Sequence, residues 1–341
     1  MKKQKIRVGI NGFGRIGRNA TRIILERPDL EICAINSRAE VSSHAYLLKY
    51  DSSYGILNHD VKVSNGDLSV DGKKIAVFNV DDPAEIPWEK AKVDIVIDAT
   101  GKFRTTAEAI KHVRDTVKYA VISAPAKDDT KTLVMGVNQQ MFNPKTDKVI
   151  SNSSCTTNCL STTLKVLHDN FEVKRGFMTT VHAVTDSQNL LDNSHKKEAR
   201  LRRASFASMI PSSTGSAKDI GKLYPDLKGK IFCQAIRIPL LTVSIINLTV
   251  EIKKKTDAEE VNKAYRLAAN KGLKGILDVA ADELVSKDYT GNPFSSVVDP
   301  YLTQVADADL VNVYAWYDNE WGYTNRLIDM VGYIGKRANI I

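Results

Sequence analysis

The feature that most constrains this chain is the run Gly12-Phe13-Gly14-Arg15-Ile16-Gly17. A G-x-G-x-x-G run is weak evidence by itself. Here it follows the short apolar run Ile6 to Ile10 and opens Arg15 to Leu25, where Ile16, Ala20, Ile23 and Ile24 recur at helical spacing. In a strand–turn–helix unit each glycine meets a separate steric need. Gly12 permits the tight turn, Gly14 lets the backbone approach a pyrophosphate, and Gly17 lets helix and strand pack closely. The helix N-terminus then offers its N–H groups and the positive end of its dipole to phosphates. The run therefore predicts a dinucleotide site, with Phe13, Arg15 and Ile16 in the same turn. The plainer reading is a glycine-rich turn without a ligand.

Alternation continues beyond this turn. Leu30 to Ile35, Val93 to Ile97, Tyr119 to Ile122 and Lys148 to Ile150 are short, apolar and β-branched, and Thr106 to Val113 has a helical pattern. Such βαβ repetition implies a doubly wound parallel sheet. The middle of the chain differs. Phe177 to Val184, Ile231 to Pro239 and Thr242 to Ile252 alternate as strands of a sheet covered on one side. Helical patterns follow at Ala258 to Asn270 and Trp321 to Lys336. The expected α/β fold is a Rossmann-type domain over 1–154 and an α+β catalytic domain with a mainly antiparallel sheet over 155–319. A C-terminal helix over 320–341 is expected to pack back on the first domain.

Composition narrows the function classes. The net charge of +8, from 48 Lys+Arg against 40 Asp+Glu, forms no continuous stripe and accompanies no aromatic recognition motif. It suits anionic small molecules better than nucleic acid as a primary partner. No apolar run approaches the roughly 18–20 residues of a membrane span. Met1-Lys2-Lys3-Gln4 leads straight into a strand-like run, so no signal peptide is expected. Cys33, Cys155, Cys159 and Cys233 are too few and scattered for a disulfide framework, which suits the reducing cytoplasm. No histidine pair has metal-ligand spacing, and no metal is expected.

Ser151-Asn152-Ser153-Ser154-Cys155-Thr156-Thr157-Asn158-Cys159 follows a strand and precedes a helical pattern. Cys155 then stands at a helix N-terminus, where dipole and N–H groups lower a thiol's pKa. His182, in a strand-like run, is the best proton partner. On spacing alone, an inert buried cysteine and a satisfied core histidine remain equally open. The second strand should end in a carboxylate for the ribose of NAD, but ends Asn36-Ser37-Arg38. Ser37 and Arg38 suit a phosphate, so NADP is favoured over NAD. The alternative is that Arg38 points to water while Glu40 or a backbone group serves the ribose.

Gly9 to Arg18, Leu48 to Ser52, Ser151 to Cys159, Thr179 to His182, Ser213-Thr214-Gly215 and Trp316 to Tyr323 together resemble phosphorylating glyceraldehyde-3-phosphate dehydrogenases, collinearly through essentially the whole chain. The resemblance implies reversible oxidation of D-glyceraldehyde 3-phosphate to 1,3-bisphosphoglycerate. Cys155 would be the nucleophile and thioacyl carrier, and His182 its acid/base partner. Thr185 and Arg237 match the substrate-phosphate site, and Ser187 stands where relatives often carry a carboxylate. Ser154, Thr214, Gly215 and Arg203 match the inorganic-phosphate site, with Thr156 in the same phosphate-binding set. The stretch His195 to Arg203 is one residue longer than the usual pattern, which bears on Arg203. Asn319 matches the residue that fixes the nicotinamide carboxamide, and Thr100, Gly101 and Ser123 complete the expected cofactor set. The family is homotetrameric.

Two departures bear on the cofactor. Asn36-Ser37 replaces the usual Asn-Asp, and Asp192-Asn193-Ser194-His195 replaces Asp-Leu-Pro-His, so Ser194 joins Ser37 and Arg38 in pointing to NADP. Two rivals stand beside this reading. An erythrose-4-phosphate dehydrogenase would lack Thr185 and the Ser213 to Gly215 run. A non-catalytic RNA-binding or interaction protein on the same fold would not need Cys155.

Overall fold

The β-branched runs of the first half become the interior of a nine-stranded sheet. The structure is a computed structural model that describes residues 5–195 and 198–341. Met1–Gln4, where a leader would begin, and Lys196 and Lys197 of the His195 to Arg203 stretch lie outside the described residues. The chain divides into two units. One takes in the chain up to Ser153 together with Thr324–Ile341; the other is Ser154–Tyr323.

In the first unit the sheet order is Lys131–Thr132, Val149–Ser151, Tyr119–Ile122, Ile95–Asp98, Ile6–Asn11, Leu30–Asn36, Lys73–Phe78, Asp67–Val70, Val61–Ser64. The first seven strands run parallel, and the last two pair antiparallel at one edge. Ile95–Asp98 and Tyr119–Ile122 are buried throughout, as strands covered on both faces must be. Each buried isoleucine or valine contributes roughly 1.5–3 kcal/mol. Strand order reverses at Ile6–Asn11, whose neighbours are Leu30–Asn36 and Ile95–Asp98. Ligands of doubly wound sheets bind at the carboxyl ends beside such a switch. The helix Trp321–Arg337 seats its later turns on this sheet: a Cβ at Gly335 would lie 2.1 Å from Ile6 Cδ1.

The second unit holds a seven-stranded sheet in the order Ile210–Ser212, Ile231–Arg237, Val173–His182, Ser244–Ile252, Leu310–Tyr317, Ser296–Ala306, Leu277–Val279. Four of its six pairings are antiparallel. Ser244–Ile252 alternates buried and half-buried residues without a break. Its buried side faces the helix Cys155–Phe171, which sinks Cys159, Leu160, Leu164 and Leu167. The other side is open, and Phe177 and Phe232 stack there at 5.5 Å while mostly exposed.

The helices Arg15–Leu25 and Ala258–Asn270 have the bounds their periodicity predicts. The expected Thr106 to Val113 helix is shorter. Thr105 and Glu108 form a capping box for Thr106–Ala109, and the next turn tightens over Ile110–His112. The expected Phe177 to Val184 strand starts earlier and stops at His182, because the Val184 N–H leaves the ladder for Leu240 O. The helices Val41–Lys49 and Ser216–Leu223 have no expectation in the sequence. In Val41–Lys49 only His44 and Leu48 are buried, too few to make a readable stripe.

Candidate active site

The glycine run meets the physical demands of a nucleotide turn. Gly12 has φ +93°, and a Cβ there would lie 2.9 Å from the backbone of Ala99 and Thr100. A Cβ at Gly17 would lie 2.2 Å from Gly12 O, so only glycine lets the helix start this close to the strand. A Cβ at Gly14 would meet nothing within 4 Å: this point of the turn faces open space, as close approach of a phosphate requires. Gly14 caps Arg15–Leu25 without a side-chain bond. Phe13 is buried edge-on against His44, and Arg15 pairs with buried Asp51. Ile16 is half-buried in the first helical turn.

The remaining expected cofactor residues of this unit sit at the carboxyl ends of neighbouring strands. Thr100 turns back onto Asp98 through its N–H and hydroxyl, at 3.1 and 2.6 Å. Gly101 follows with φ +67°, and the Ser123 N–H donates to Asp98 O. The Ser37 N–H donates to Phe78 O at the tip of Leu30–Asn36. Arg38 is exposed and pairs with exposed Asp81 at 2.7 Å. An exposed pair of this kind contributes only about 0–1 kcal/mol and is readily exchanged.

In the second unit, Ser154 caps the helix Cys155–Phe171 by accepting from the Thr157 N–H at 3.1 Å. The residue before it, Ser153, is buried at φ +56°, a left-handed backbone that persists only where surroundings enforce it. The turn delivers Cys155, half-buried, to the first position of the helix. Cys155 Sγ lies 3.5 Å from His182 Nε2. His182 is the last residue of its strand, pairs in register with Arg237, and lies edge-on to Tyr317 at 6.0 Å between ring centres.

The expected lowering of the Cys155 pKa is corrected by the site's dryness. Burial pushes the thiol up, and the Arg237 charge and bonds at the helix start only oppose this. Burial also drives His182 down to about 3, with Arg237 adding to the shift and the Ala183 carbonyl opposing it.

Two anion-fitting groups flank the pair. In one, Ser154, Thr157, Ser216 and Thr214 form a chain of hydroxyls. It joins the N-terminus of Cys155–Phe171 to that of Ser216–Leu223, which Gly215 caps. Two helix starts and a run of hydroxyls suit a phosphate. The Thr156 hydroxyl turns inward to Tyr317, and Arg203 pairs with Asp192 at 3.3 Å rather than joining the hydroxyl chain. In the other group, the Thr185 and Ser187 hydroxyls are 2.9 Å apart. Ser187, Ser194 and Arg237 line one cleft of about 540 Å³ with Glu198 and Ser213. Asn319 is buried and accepts from Ser244 Oγ at 3.0 Å.

Sequence reasoning missed Tyr317 and Ser244. The buried Tyr317 phenol lies 3.0 Å from Thr156 Oγ1 and 2.8 Å from Thr180 Oγ1, tying the nucleophile's helix to the histidine's strand. Ser244 Oγ accepts from the Ala183 N–H and donates to Asn319. The only signal in the sequence was the Trp316 to Tyr323 motif, read for Asn319 alone. Among the described residues, no three His, Cys, Asp or Glu side chains gather as a metal group, and no helix is long and apolar enough to cross a membrane.

A doubly wound sheet with a glycine-rich first turn, in one chain with a unit that sets a cysteine against a histidine, defines an oxidoreductase of the nucleotide-binding α/β class. Family models described as "Glyceraldehyde 3-phosphate dehydrogenase, NAD binding domain" and "Glyceraldehyde 3-phosphate dehydrogenase, C-terminal domain" match residues 6–106 and 154–319. The chain is 46% identical over 333 residues to the glyceraldehyde-3-phosphate dehydrogenase of Geobacillus stearothermophilus, covering 98% of this chain and 99% of that one. It is 47% identical to the enzyme of that name from Streptomyces coelicolor, over 97% and 99% of the two chains. The chain belongs to the glyceraldehyde-3-phosphate dehydrogenase family.

Proposed function

We propose that this protein oxidises D-glyceraldehyde 3-phosphate to 1,3-bisphosphoglycerate, reversibly, through a thioacyl group on Cys155, with NADP favoured over NAD. The observation that carries the reading is the approach of Cys155 Sγ to His182 Nε2 at 3.5 Å, at the start of a helix. As Cys155 attacks the aldehyde carbon, its proton passes to His182 Nε2. The Cys155 N–H and the protonated His182 hold the oxyanion that forms. Bound nicotinamide supplies the hydride acceptor. As the C–H bond breaks and hydride leaves, the oxyanion closes to the carbonyl of the thioester on sulfur, and His182 keeps the proton it took from Cys155. Inorganic phosphate, held by Ser154, Thr214 and Gly215, then attacks the thioester, and the Cys155 thiolate leaves and is reprotonated. Thr185, Ser187 and Arg237 hold the substrate's own phosphate, and Asn319 orients the nicotinamide.

The glycine turn fits a dinucleotide's pyrophosphate, because Gly14 faces open space at a helix start. Ser37, with no carboxylate at the strand tip, supports NADP, since a carboxylate there would repel a 2′-phosphate. Arg38 can pair with that phosphate by exchanging its exposed bond to Asp81. The exposed Phe177–Phe232 stack supports assembly into the family's homotetramer. Four free thiols support a reducing, cytoplasmic setting.

The test is reduction of NADP and NAD by purified protein with glyceraldehyde 3-phosphate, with and without inorganic phosphate. Phosphate-dependent turnover with a higher kcat/KM for NADP is expected. A rate indifferent to phosphate refutes the phosphorylating reaction, and a higher kcat/KM for NAD refutes the cofactor assignment.

A further inference from the structure

Among the described residues, Val243 is the one β-branched residue with a left-handed backbone, at φ +71°, and it is buried. A β-branched side chain crowds that backbone, which persists only where its surroundings enforce it. The residues on either side of Val243 are both tied to one segment. Thr242 Oγ1 donates to Asp318 Oδ1 at 2.8 Å, and Ser244 Oγ donates to Asn319 Oδ1 at 3.0 Å. Asp318 is itself fixed, since its carboxylate accepts from the Gly291, Glu320 and Trp321 N–H groups at 2.8, 3.0 and 3.0 Å. The strained turn is therefore held against the two residues that stand just before the helix Trp321–Arg337.

The tie from Ser244 has a direction. Ser244 is buried, and its hydroxyl carries one proton. The oxygen accepts from the Ala183 N–H at 3.1 Å, and the proton goes to Asn319. An amide that receives this proton must turn its oxygen to Ser244, which leaves Nδ2 to donate elsewhere. No acceptor for Nδ2 stands among the described residues. Asn319 is only 6% exposed, so a donor without a protein partner there is costly unless water or a ligand supplies an acceptor.

We propose that Ser244 is a positioning residue for the cofactor: its hydroxyl proton fixes the Asn319 amide with Nδ2 as the free donor, so that the nicotinamide carboxamide is met through its carbonyl oxygen. The inference rests on the reading of Asn319 as the partner of the nicotinamide and extends it to what sets the amide. Without the Ser244 hydroxyl the amide can rotate by half a turn and offer its oxygen, which a carbonyl oxygen repels. Ser244 also holds the N–H of Ala183, the residue after the strand Val173–His182. One hydroxyl thus sets the amide and the exit of the histidine's strand together.

The test is binding, measured by calorimetry on the purified protein. NADP and NAD are each compared with the counterpart that lacks nicotinamide, 2′-phospho-ADP-ribose and ADP-ribose. Ser244→Ala is expected to weaken both dinucleotides about fivefold, as loss of one oriented hydrogen bond does, and to leave both fragments within about twofold of wild type. Asn319→Ala should weaken the dinucleotides at least as much. Adding Ser244→Ala to it should cost nothing further, because two residues that act through one contact do not add. A residue that merely supports the fold would weaken dinucleotide and fragment alike, and its loss would add to that of Asn319. Either result overturns the inference. Ser244→Cys keeps the volume with only a weak donor and enters the same comparison where Ser244→Ala does not fold. Failure of the underlying reading shows separately, as an Asn319→Ala protein that binds both dinucleotides as wild type does.

Discussion

Cys155 and Cys159 stand one turn apart on the same helix, yet their surroundings assign them opposite chemistry. Cys155 occupies the first helical position, half-buried, with His182 at 3.5 Å and Arg237 near enough to oppose the rise in its pKa. Cys159 is fully buried and donates to Ala315 O at 3.8 Å. Burial raises its thiol well above the usual range, opposed only by a bond with the Thr163 side chain, and no imidazole stands beside it as His182 stands beside Cys155. Helix position and a proton partner, rather than residue type, separate a nucleophile from a core filler.

The sharpest way to break this contrast is to exchange the two thiols for hydroxyls. Cys155→Ser should lower kcat on the order of 10⁴-fold or more, as loss of a nucleophile does. Cys159→Ser should leave kcat close to wild type and cost about 1–3 kcal/mol of stability by burying a hydroxyl, read from urea midpoints. Equal losses of activity in both variants would dissolve the distinction. Next in size is the partner. His182→Asn should lower kcat on the order of 10²–10⁴-fold, with KM moved far less. A change confined to KM would make His182 a binding residue.

These expectations rest unevenly on sequence and structure. The glycine turn was legible because its strand, turn and helix are contiguous, and Gly12 and Gly17 each answer a local steric demand. Cys155 was legible as a helix start for the same reason, with Ser154 as its cap. The division into a parallel and a mainly antiparallel sheet was legible from hydrophobic periodicity. What was not legible depends on strand register. Arg237 lies beside His182 only because Ile231–Arg237 pairs in parallel with Val173–His182. Tyr317 reaches Thr156 and Thr180 from a strand far along the chain. The sign of the Cys155 shift was misjudged because a helix start can be inferred from neighbours in sequence, whereas burial cannot.

Tyr317 sharpens the comparison further, since it bonds the residue after Cys155 and none beside Cys159. Tyr317→Phe leaves the Thr156 and Thr180 hydroxyls without their shared partner. It should cost about 1–3 kcal/mol and reduce kcat less than His182→Asn does. Full activity with unchanged stability would show that the tie is dispensable.

A further expected effect is one of pH, spread gradually over several pH units. His182 titrates at about 3 in the folded chain against an ordinary 6.5, so between these values the unfolded chain binds more protons. Stability therefore rises with pH across that window and is lost on acidification, by at most about 1.4 kcal/mol per pH unit. Urea midpoints measured from pH 7 downward should fall less steeply in His182→Asn. Parallel slopes would mean that the imidazole is not held neutral.

The most direct test of the central claim is to look for the acyl group itself. Protein mixed with glyceraldehyde 3-phosphate and NADP, without inorganic phosphate, then quenched in acid and digested, should carry the 3-phosphoglyceryl mass on Cys155 and none on Cys159. The adduct should disappear when phosphate is added before the quench. An acyl group on another residue, or no adduct from protein that turns over once phosphate is supplied, would contradict the account.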